Sequence, residues 1–169
     1  MKEETVIHRW FWVWQFEKEE QWLNTMAQSG WALAKVGFCT YHFVPCQPGE
    51  YTIRLEMHES DKDYMQFMQD IGAEYVGRMA QWVYFRRRAE LGQFDLFSDI
   101  DSKLTHLKKI GRTLIAIGGA NLAIGLINSF NVTHLGWLNL LCATALMYAL
   151  GRIHGKMESL EKDRLLLEA

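Results

Sequence analysis

Hydrophobic and polar positions change their period several times along this chain, and the changes predict a mixture of strands and helices. In the stretch HRWFWVWQF, residues 8–16, Trp10, Trp12 and Trp14 stand at every second position with apolar residues between them. Successive side chains of a strand point to opposite faces. The pattern therefore predicts a strand over residues 8–15 that is apolar on both faces, and it raises the question of what covers the second face.

Apolar residues recur at helical spacing in two later stretches, residues 19–30 and 61–72. Both stretches end at a glycine, Gly30 and Gly72. Glycine adopts the left-handed conformation of a helix C-cap at little cost. We therefore predict a helix over each stretch.

The first helical stretch and the residues after it recur at an offset of 42 residues, so that Trp22 corresponds to Tyr64 and Gly30 to Gly72. Further strands are predicted over residues 31–36, 39–44, 51–58, 73–78 and 81–87. The order β-α-β-β thus occurs twice. This tandem repeat predicts an α+β fold with a ferredoxin-like sheet and two helices on one face.

The repeat also predicts which face of the N-terminal strand is uncovered. At the shared offset, Trp10, Trp12 and Trp14 correspond to the polar residues Thr52, Arg54 and Glu56. A bare sheet face with three indoles is an apolar patch of the kind that marks a binding surface. We predict that Trp10, Trp12, Trp14 and Arg54 form an interface, with a second copy of the chain as the favoured partner. An intrachain core, the 94–110 segment folding back, and a flat ligand are the alternatives.

Charge disappears between Thr113 and Gly151, where the sequence has no Asp, Glu, Lys or Arg. Two apolar segments, 113–130 and 135–151, flank a polar turn at residues 131–134. Each segment is near the lower limit of the ~17–25 residues that span a bilayer as a helix. We predict a transmembrane helical hairpin, with a buried hairpin of a soluble protein as the alternative.

Lysine and arginine flank both predicted spans and are absent between them, which predicts that both chain ends are cytoplasmic. The N-terminal sequence does not have the pattern of a signal peptide. The expected location is therefore the cell membrane, crossed twice. The candidate contacts to lipid headgroups are Lys108, Lys109, Arg112, Arg152 and Lys156.

Small residues recur at four-residue spacing in both spans, which permits close contact between membrane helices. The candidate packing residues are Ala116, Gly119, Ala120, Ala123, Ala145 and Ala149, with Asn121 as a polar partner. Before the first span, residues 94–110 have the spacing of an amphipathic helix. The predicted division is a cytosolic repeat domain over 1–93, a linker helix over 94–112, the hairpin over 113–151 and a cytosolic helix over 152–169.

Composition excludes some classes of function. The 169 residues carry a net charge of −2, and the first 110 have 13 Lys and Arg against 16 Asp and Glu, so no basic excess favours nucleic acid. The three cysteines are an odd number in a domain predicted to be cytosolic, so we expect no structural disulfide. Cys39, His42 and Cys46 lack a fourth metal ligand. We expect no metal, no cofactor and no catalytic site.

The segments FEKEEQWLNTMAQSGWALAKV and FDLFSDIDSK, within residues 8–110, resemble a bacterial domain of unknown function. That domain occurs in small membrane proteins of Gram-positive bacteria, often encoded beside PadR-type transcriptional repressors. The resemblance implies a cytosolic domain followed by membrane helices. It carries over no catalytic residues.

These patterns together predict a membrane-anchored, non-enzymatic module that senses a ligand or binds a protein. We expect it to self-assemble and to be linked to transcriptional or envelope regulation. The expected partners are the lipid bilayer, a further copy of the chain and a membrane or regulatory protein. The alternative is an accessory subunit of a membrane transporter or another larger membrane complex.

Overall fold

The computed structural model describes residues 4–58, 62–96, 100–130 and 136–168. The chain divides into two compact units, Met1–Leu96 and Phe97–Ala169. The first unit has mixed α and β structure, and the second consists of two long helices.

The first unit repeats the order strand, helix, strand, strand. Its elements are β1 (Thr5–His8), α1 (Phe16–Gln28), β2 (Trp31–Gly37), β3 (Thr40–Pro45), β4 (Tyr51–Met57), α2 (Lys62–Asp70), β5 (Ala73–Met79) and β6 (Trp82–Arg88). Short 3-10 turns cover Val13–Gln15 and Ala89–Leu91. The predicted tandem β-α-β-β order is confirmed.

The strands form two antiparallel sheets of three strands each, in the orders β1-β3-β2 and β4-β6-β5. The single ferredoxin-like sheet predicted from the sequence is wrong for the described strands. β2 and β5 lie side by side without forming a ladder, and each carries a register shift, between Leu33 and Lys35 and between Tyr75 and Gly77. Bulges at these positions interrupt the edges that would otherwise join the two sheets. The helices do not share one sheet either, since α1 packs against β2 and β4, and α2 against β5.

Equivalent contacts confirm the 42-residue offset. The ring of Trp22 meets Phe43 edge-on at 5.7 Å, and the ring of Tyr64 meets Phe85 edge-on at 5.8 Å. Both helices are followed by a glycine with positive φ, +88° at Gly30 and +79° at Gly72. The two halves therefore fold by the same local rules.

The strand predicted over residues 8–15 is wrong, because β1 ends at His8. Its partner strand β3 begins at Thr40, which pairs with His8, and the chain turns at residues 38–39. Arg9 N still donates a hydrogen bond to Cys39 O, at 3.1 Å, but β3 offers no further backbone groups with which the residues after Arg9 could pair. His8 pairs with Thr40 in the first sheet, and Met57 pairs with Trp82 in the second. Thr40 and Trp82 are related by the offset of 42, but His8 and Met57 are related by an offset of 49. The first strand therefore repeats at an offset of 49, not 42.

Helix α1 closes the outer edge of β4 with side chains. Asn24 Nδ2 donates to Ile53 O at 2.8 Å, and Asn24 Oδ1 accepts from Ile53 N at 2.9 Å. Glu20 Oε2 accepts from Leu55 N at 3.1 Å. An edge strand presents unpaired backbone groups that can template aggregation. Here, α1 binds three such groups from one side.

The core of the first unit lies between the helices and the two sheets. Its largest fully buried side chains are Leu23, Leu33, Tyr41, Phe43, Ile53, Leu55, Met68, Val83, Tyr84 and Phe85. Phe94 packs with Met68 and Phe85, so this residue belongs to the α+β core and not to a linker helix.

The second unit is a hairpin of α3 (Ile100–Phe130) and α4 (Gly136–Glu168). The predicted linker helix and first span form one continuous helix. The predicted helix start at residue 94 is wrong, because residues 94–96 are not helical, and residues 97–99 lie outside the described part of the chain. The predicted turn at 131–134 also lies outside it.

Candidate functional site

The tryptophans predicted to lie on a sheet face lie instead in the connection between β1 and α1. Trp12 stacks on Trp14 with centroids 5.2 Å apart, and Trp10 meets Trp12 edge-on at 5.3 Å. Two hydrogen bonds between Gln15 and Trp12 stabilise the turn that carries Trp12 and Trp14. Gln15 N donates to Trp12 O at 2.7 Å, and Gln15 Oε1 accepts from Trp12 N at 3.1 Å. Trp10 and Trp12 remain 53% and 49% exposed.

Underneath this connection is a cavity of about 210 Å³. Its aromatic lining is Trp10, Phe11, Trp12, Phe16, Phe38, Tyr41 and Trp82. Arg9 and Glu19 are the charged residues in the lining. Apolar walls with a few converging polar groups are typical of small-molecule sites.

Glu19, in the first turn of α1, connects the two sheets at this cavity. Its Oε1 accepts a hydrogen bond from Tyr41 of β3 at 2.7 Å and one from Tyr84 of β6 at 2.6 Å. The side chain is 6% exposed. Among the described residues, no lysine or arginine forms an ion pair with it.

Burial raises the pKa of Glu19 above its usual range, and the hydroxyls of Tyr84 and Tyr41 oppose that shift by donating to the carboxylate. Burial and the charge of Glu19 raise the pKa of both tyrosines. The hydroxyls therefore keep their protons and remain donors. The arrangement holds one carboxylate in a mostly apolar setting.

Arg9 neutralises little of this charge, because its guanidinium lies over the rings of Phe11 and Trp22 at 5.0 and 4.9 Å. Two other lining residues, Cys39 and Ala80, have φ of 52° and 53°. The left-handed region costs an L-residue with a side chain on the order of 1 kcal/mol. Such strained residues cluster at functional sites.

Arg54 does not share a surface with the tryptophans. It lies on β4, where Nη2 contacts Asp95 Oδ1 at 3.0 Å and Nη1 contacts Glu20 Oε1 at 3.4 Å. Burial raises the pKa of Glu20, and Arg54 opposes that shift. The four-residue interface predicted on one sheet face is therefore wrong in its geometry.

Small residues do pack in the hairpin, but at a spacing of seven. Gly111 lies against Leu150, Gly118 against Leu146 and Gly125 against Leu140, so that a Cβ added at these glycines would meet the leucine side chains at 3.7, 3.5 and 2.9 Å. Of the predicted packing residues, Ala149 is buried. The other members of the predicted stripe are exposed in the hairpin, so their packing against a further helix stays a prediction: Ala116, Gly119, Ala120, Ala123 and Ala145.

Asn121, a predicted packing residue, is directed toward the other helix of the hairpin. Its Oδ1 accepts a hydrogen bond from Asn139 Nδ2 at 3.3 Å. A polar pair of this kind satisfies groups that would be costly if they faced lipid.

The candidate headgroup residues lie near the ends of the uncharged segments. Lys108 and Arg112 line a cavity of about 910 Å³ between α3 and α4, together with His154, Glu158 and Glu161. Lys108, Arg112 and Arg152 are exposed, and Lys109 and Lys156 are half-buried.

The three cysteines are free. His42 Nδ1 lies 2.6 Å from Glu4 Oε1, and the described residues contain no group of three or more His, Cys, Asp or Glu that could hold a metal ion.

Residues 15–118 match a family described as a protein of unknown function, DUF2812. The matched region is more than half of the chain. The chain belongs to this family. The DUF2812 region includes Glu19, Tyr41 and Tyr84, and it begins after the three tryptophans. No curated protein and no solved structure matches the chain.

Sequence reasoning missed Glu19 as a site residue. Asp and Glu in the first turn of a helix are usually explained by the helix dipole. One signal was available, because Glu19 lies four residues before Leu23 and eight before Ala27, on the apolar side of α1.

Proposed function

We propose that this chain is a membrane-anchored, non-enzymatic module whose α3–α4 hairpin crosses the bilayer twice, with both chain ends in the cytoplasm. The main support is the outer surface of the hairpin. Its exposed large apolar residues are Ile115, Ile117, Leu122, Ile124, Leu126, Ile127, Phe130, Trp137, Leu138, Leu141, Met147 and Tyr148. A patch of this size is far beyond what the surface of a soluble protein carries.

The dimensions of the helices agree with this proposal. α3 and the stretch Gly136–Leu166 are each 31 residues long and apolar enough to cross a membrane. Only 28% and 22% of their apolar windows are buried, whereas the core helix of a soluble protein would be mostly buried. The charge-free part of α3, residues 113–130, is about 27 Å long at 1.5 Å per residue, close to the ~30 Å hydrocarbon layer.

Flanking charge supports the orientation. Lys108, Arg112 and Arg152 stand at the ends of the uncharged segments that lie away from the connection between α3 and α4, and they suit contact with anionic headgroups. The α+β unit then senses a ligand or binds a protein on the cytoplasmic side. The resemblance to proteins encoded beside PadR-type repressors supports a link to transcriptional or envelope regulation.

Reporter fusions test the topology. Reporters at residue 110 and at the C-terminus should both indicate cytoplasm, and a reporter at Thr133 should indicate the outside. The chain should also stay in the membrane pellet after alkaline carbonate extraction. A cytoplasmic reporter at Thr133, or release by carbonate, would show that the hairpin does not span the bilayer.

A second candidate is an accessory subunit of a transporter or another membrane complex. The observation that favours it is the exposed small-residue stripe Ala116, Gly119, Ala120 and Ala123, which leaves room for another helix. Self-assembly uses the same feature. Native mass measurement after purification in detergent separates them: a stable homo-oligomer supports self-assembly, and aggregation of the isolated chain supports an accessory role.

A further inference from the structure

We propose that the aromatic cavity beside Glu19 binds a small organic cation bearing a quaternary ammonium group. This inference names a ligand class for the sensing function proposed above. The biological role of the ligand rests on that proposed function, but the binding itself does not. The cavity lies wholly within the α+β unit, so binding can be tested whether or not the hairpin spans a membrane.

The walls of the cavity suit an alkylated cation. Trp10, Trp12 and Trp82 contribute indole rings. Aromatic faces attract cations, and cages of such rings are the usual site for quaternary ammonium groups. A neutral apolar ligand would use the same walls and would leave the carboxylate of Glu19 without a counter-ion.

Glu19 provides the charge that selects a cation. Its carboxylate is almost completely buried, and the two groups bonded to it are the neutral hydroxyls of Tyr41 and Tyr84. A buried carboxylate without a counter-ion is unfavourable, so a cation in the cavity supplies what the protein lacks. Arg9 does not fill this role, because its guanidinium lies over Phe11 and Trp22.

The size of the cavity limits the ligand. Its volume of about 210 Å³ is below the ~300–1,000 Å³ of sites for drug-sized ligands. A trimethylammonium group with a short chain is therefore a better fit than a large dye or drug. The same group occurs on free choline and on choline lipids, so the experiment must separate these sources.

The test is a titration of the full chain, purified in a maltoside detergent, which lacks choline. Tryptophan fluorescence is the readout, in a Trp137→Phe background that removes the tryptophan outside the α+β unit. Choline should quench or shift the emission with saturation. The neutral isostere 3,3-dimethylbutan-1-ol should bind at least about tenfold more weakly, which is the contribution expected of a desolvated cation–π and charge contact.

Variants assign the effect to the cavity. Glu19→Gln should weaken choline binding about tenfold or more and leave binding of the isostere unchanged. Trp10→Leu, at a half-exposed position where folding is not at risk, should also weaken choline binding. Trp31→Phe is the matched control, since Trp31 lies on β2 outside the cavity lining.

Three outcomes would overturn the proposal: equal affinity for choline and its isostere, choline binding that survives both cavity variants, or glycine betaine binding more tightly than choline. The last result would assign the site to a zwitterion held by Arg9. Glycerophosphocholine separates the sources of the cation. When glycine betaine binds no more tightly than choline, tighter binding of glycerophosphocholine supports the cation site and identifies a lipid headgroup, and weaker binding identifies a free cation.

Discussion

Replacing Asn24 tests how the α+β unit protects the edge of its second sheet. The side chain makes two hydrogen bonds to the backbone of Ile53, and Ile53 is fully buried. In Asn24→Ala, Ile53 N loses its partner on this edge, and Ile53 O keeps only the hydrogen bond from Arg54 Nη1, at 3.1 Å. A buried backbone group left unsatisfied costs about 1–3 kcal/mol. Since Ile53 N is the group that loses its partner, we expect the unfolding free energy to fall by about 1–3 kcal/mol.

Chemical denaturation of the full chain in detergent measures this loss. Six of the seven tryptophans lie in residues 1–96, so a Trp137→Phe background confines the signal to the α+β unit. Asn24→Leu preserves volume but not hydrogen bonding, and it should be as unstable as Asn24→Ala. Thr25→Ala, one residue away at an exposed position, should change stability by less than about 0.5 kcal/mol.

Wild-type stability of Asn24→Leu would refute the reasoning. It would mean that the shape of the side chain matters and its hydrogen bonds do not. A concentration-dependent gain in β-sheet signal in Asn24→Ala would add that the freed edge of β4 pairs with another chain.

Two further predictions concern Glu19 and the hairpin. Because the pKa of Glu19 is raised in the folded chain, its favourable contribution is complete below the unfolded value of 4.5 and is lost as pH rises through the folded pKa. The stability of Glu19→Gln relative to wild type should therefore increase with pH, by up to about 1.4 kcal/mol per unit within that window; a difference that is flat with pH in denaturation series would contradict the raised pKa. In the hairpin, a Cβ at Gly125 would lie 3.1 Å from the backbone N of Leu140, whereas nothing lies within 4 Å of a Cβ at Gly119. Thermal unfolding in detergent should show that Gly125→Ala destabilises the hairpin, while Gly119→Ala is neutral or stabilising by up to about 1 kcal/mol; equal melting temperatures would mean that the close approach of the helices is not used.

The parts of the fold that depend on local patterns were predictable from the sequence. The alternation of apolar residues predicted the bounds of β2 to β6 to within about one or two residues. Gly30 and Gly72 predicted where α1 and α2 end. The N-terminal strand was not predictable in this way, because alternating apolar residues continue past His8 although the partner strand begins only at Thr40, which pairs with His8. The extent of a strand is set by its partner as much as by its own sequence.

The candidate site was less accessible to sequence reasoning. Glu19, Tyr41 and Tyr84 come from three elements, and only the packing of two sheets on α1 brings their oxygens together. In the hairpin, the sequence suggested packing through small residues at four-residue spacing, whereas the glycines that contact α4 are Gly111, Gly118 and Gly125, seven residues apart. Both spacings are compatible with helix contact, and the contact geometry of the facing helix decides which one is used.

The connection between β1 and α1 has a consequence for how chains of this architecture can diverge. Seven residues, 9–15, form this connection, and five of them line the aromatic cavity, at positions 9–13. Changing the length of a loop adds little entropy cost. Chains built on the same duplicated frame can therefore exchange this one connection, and with it part of the cavity wall, without altering either sheet. For protein engineering, the same position is a natural place to graft a new recognition peptide.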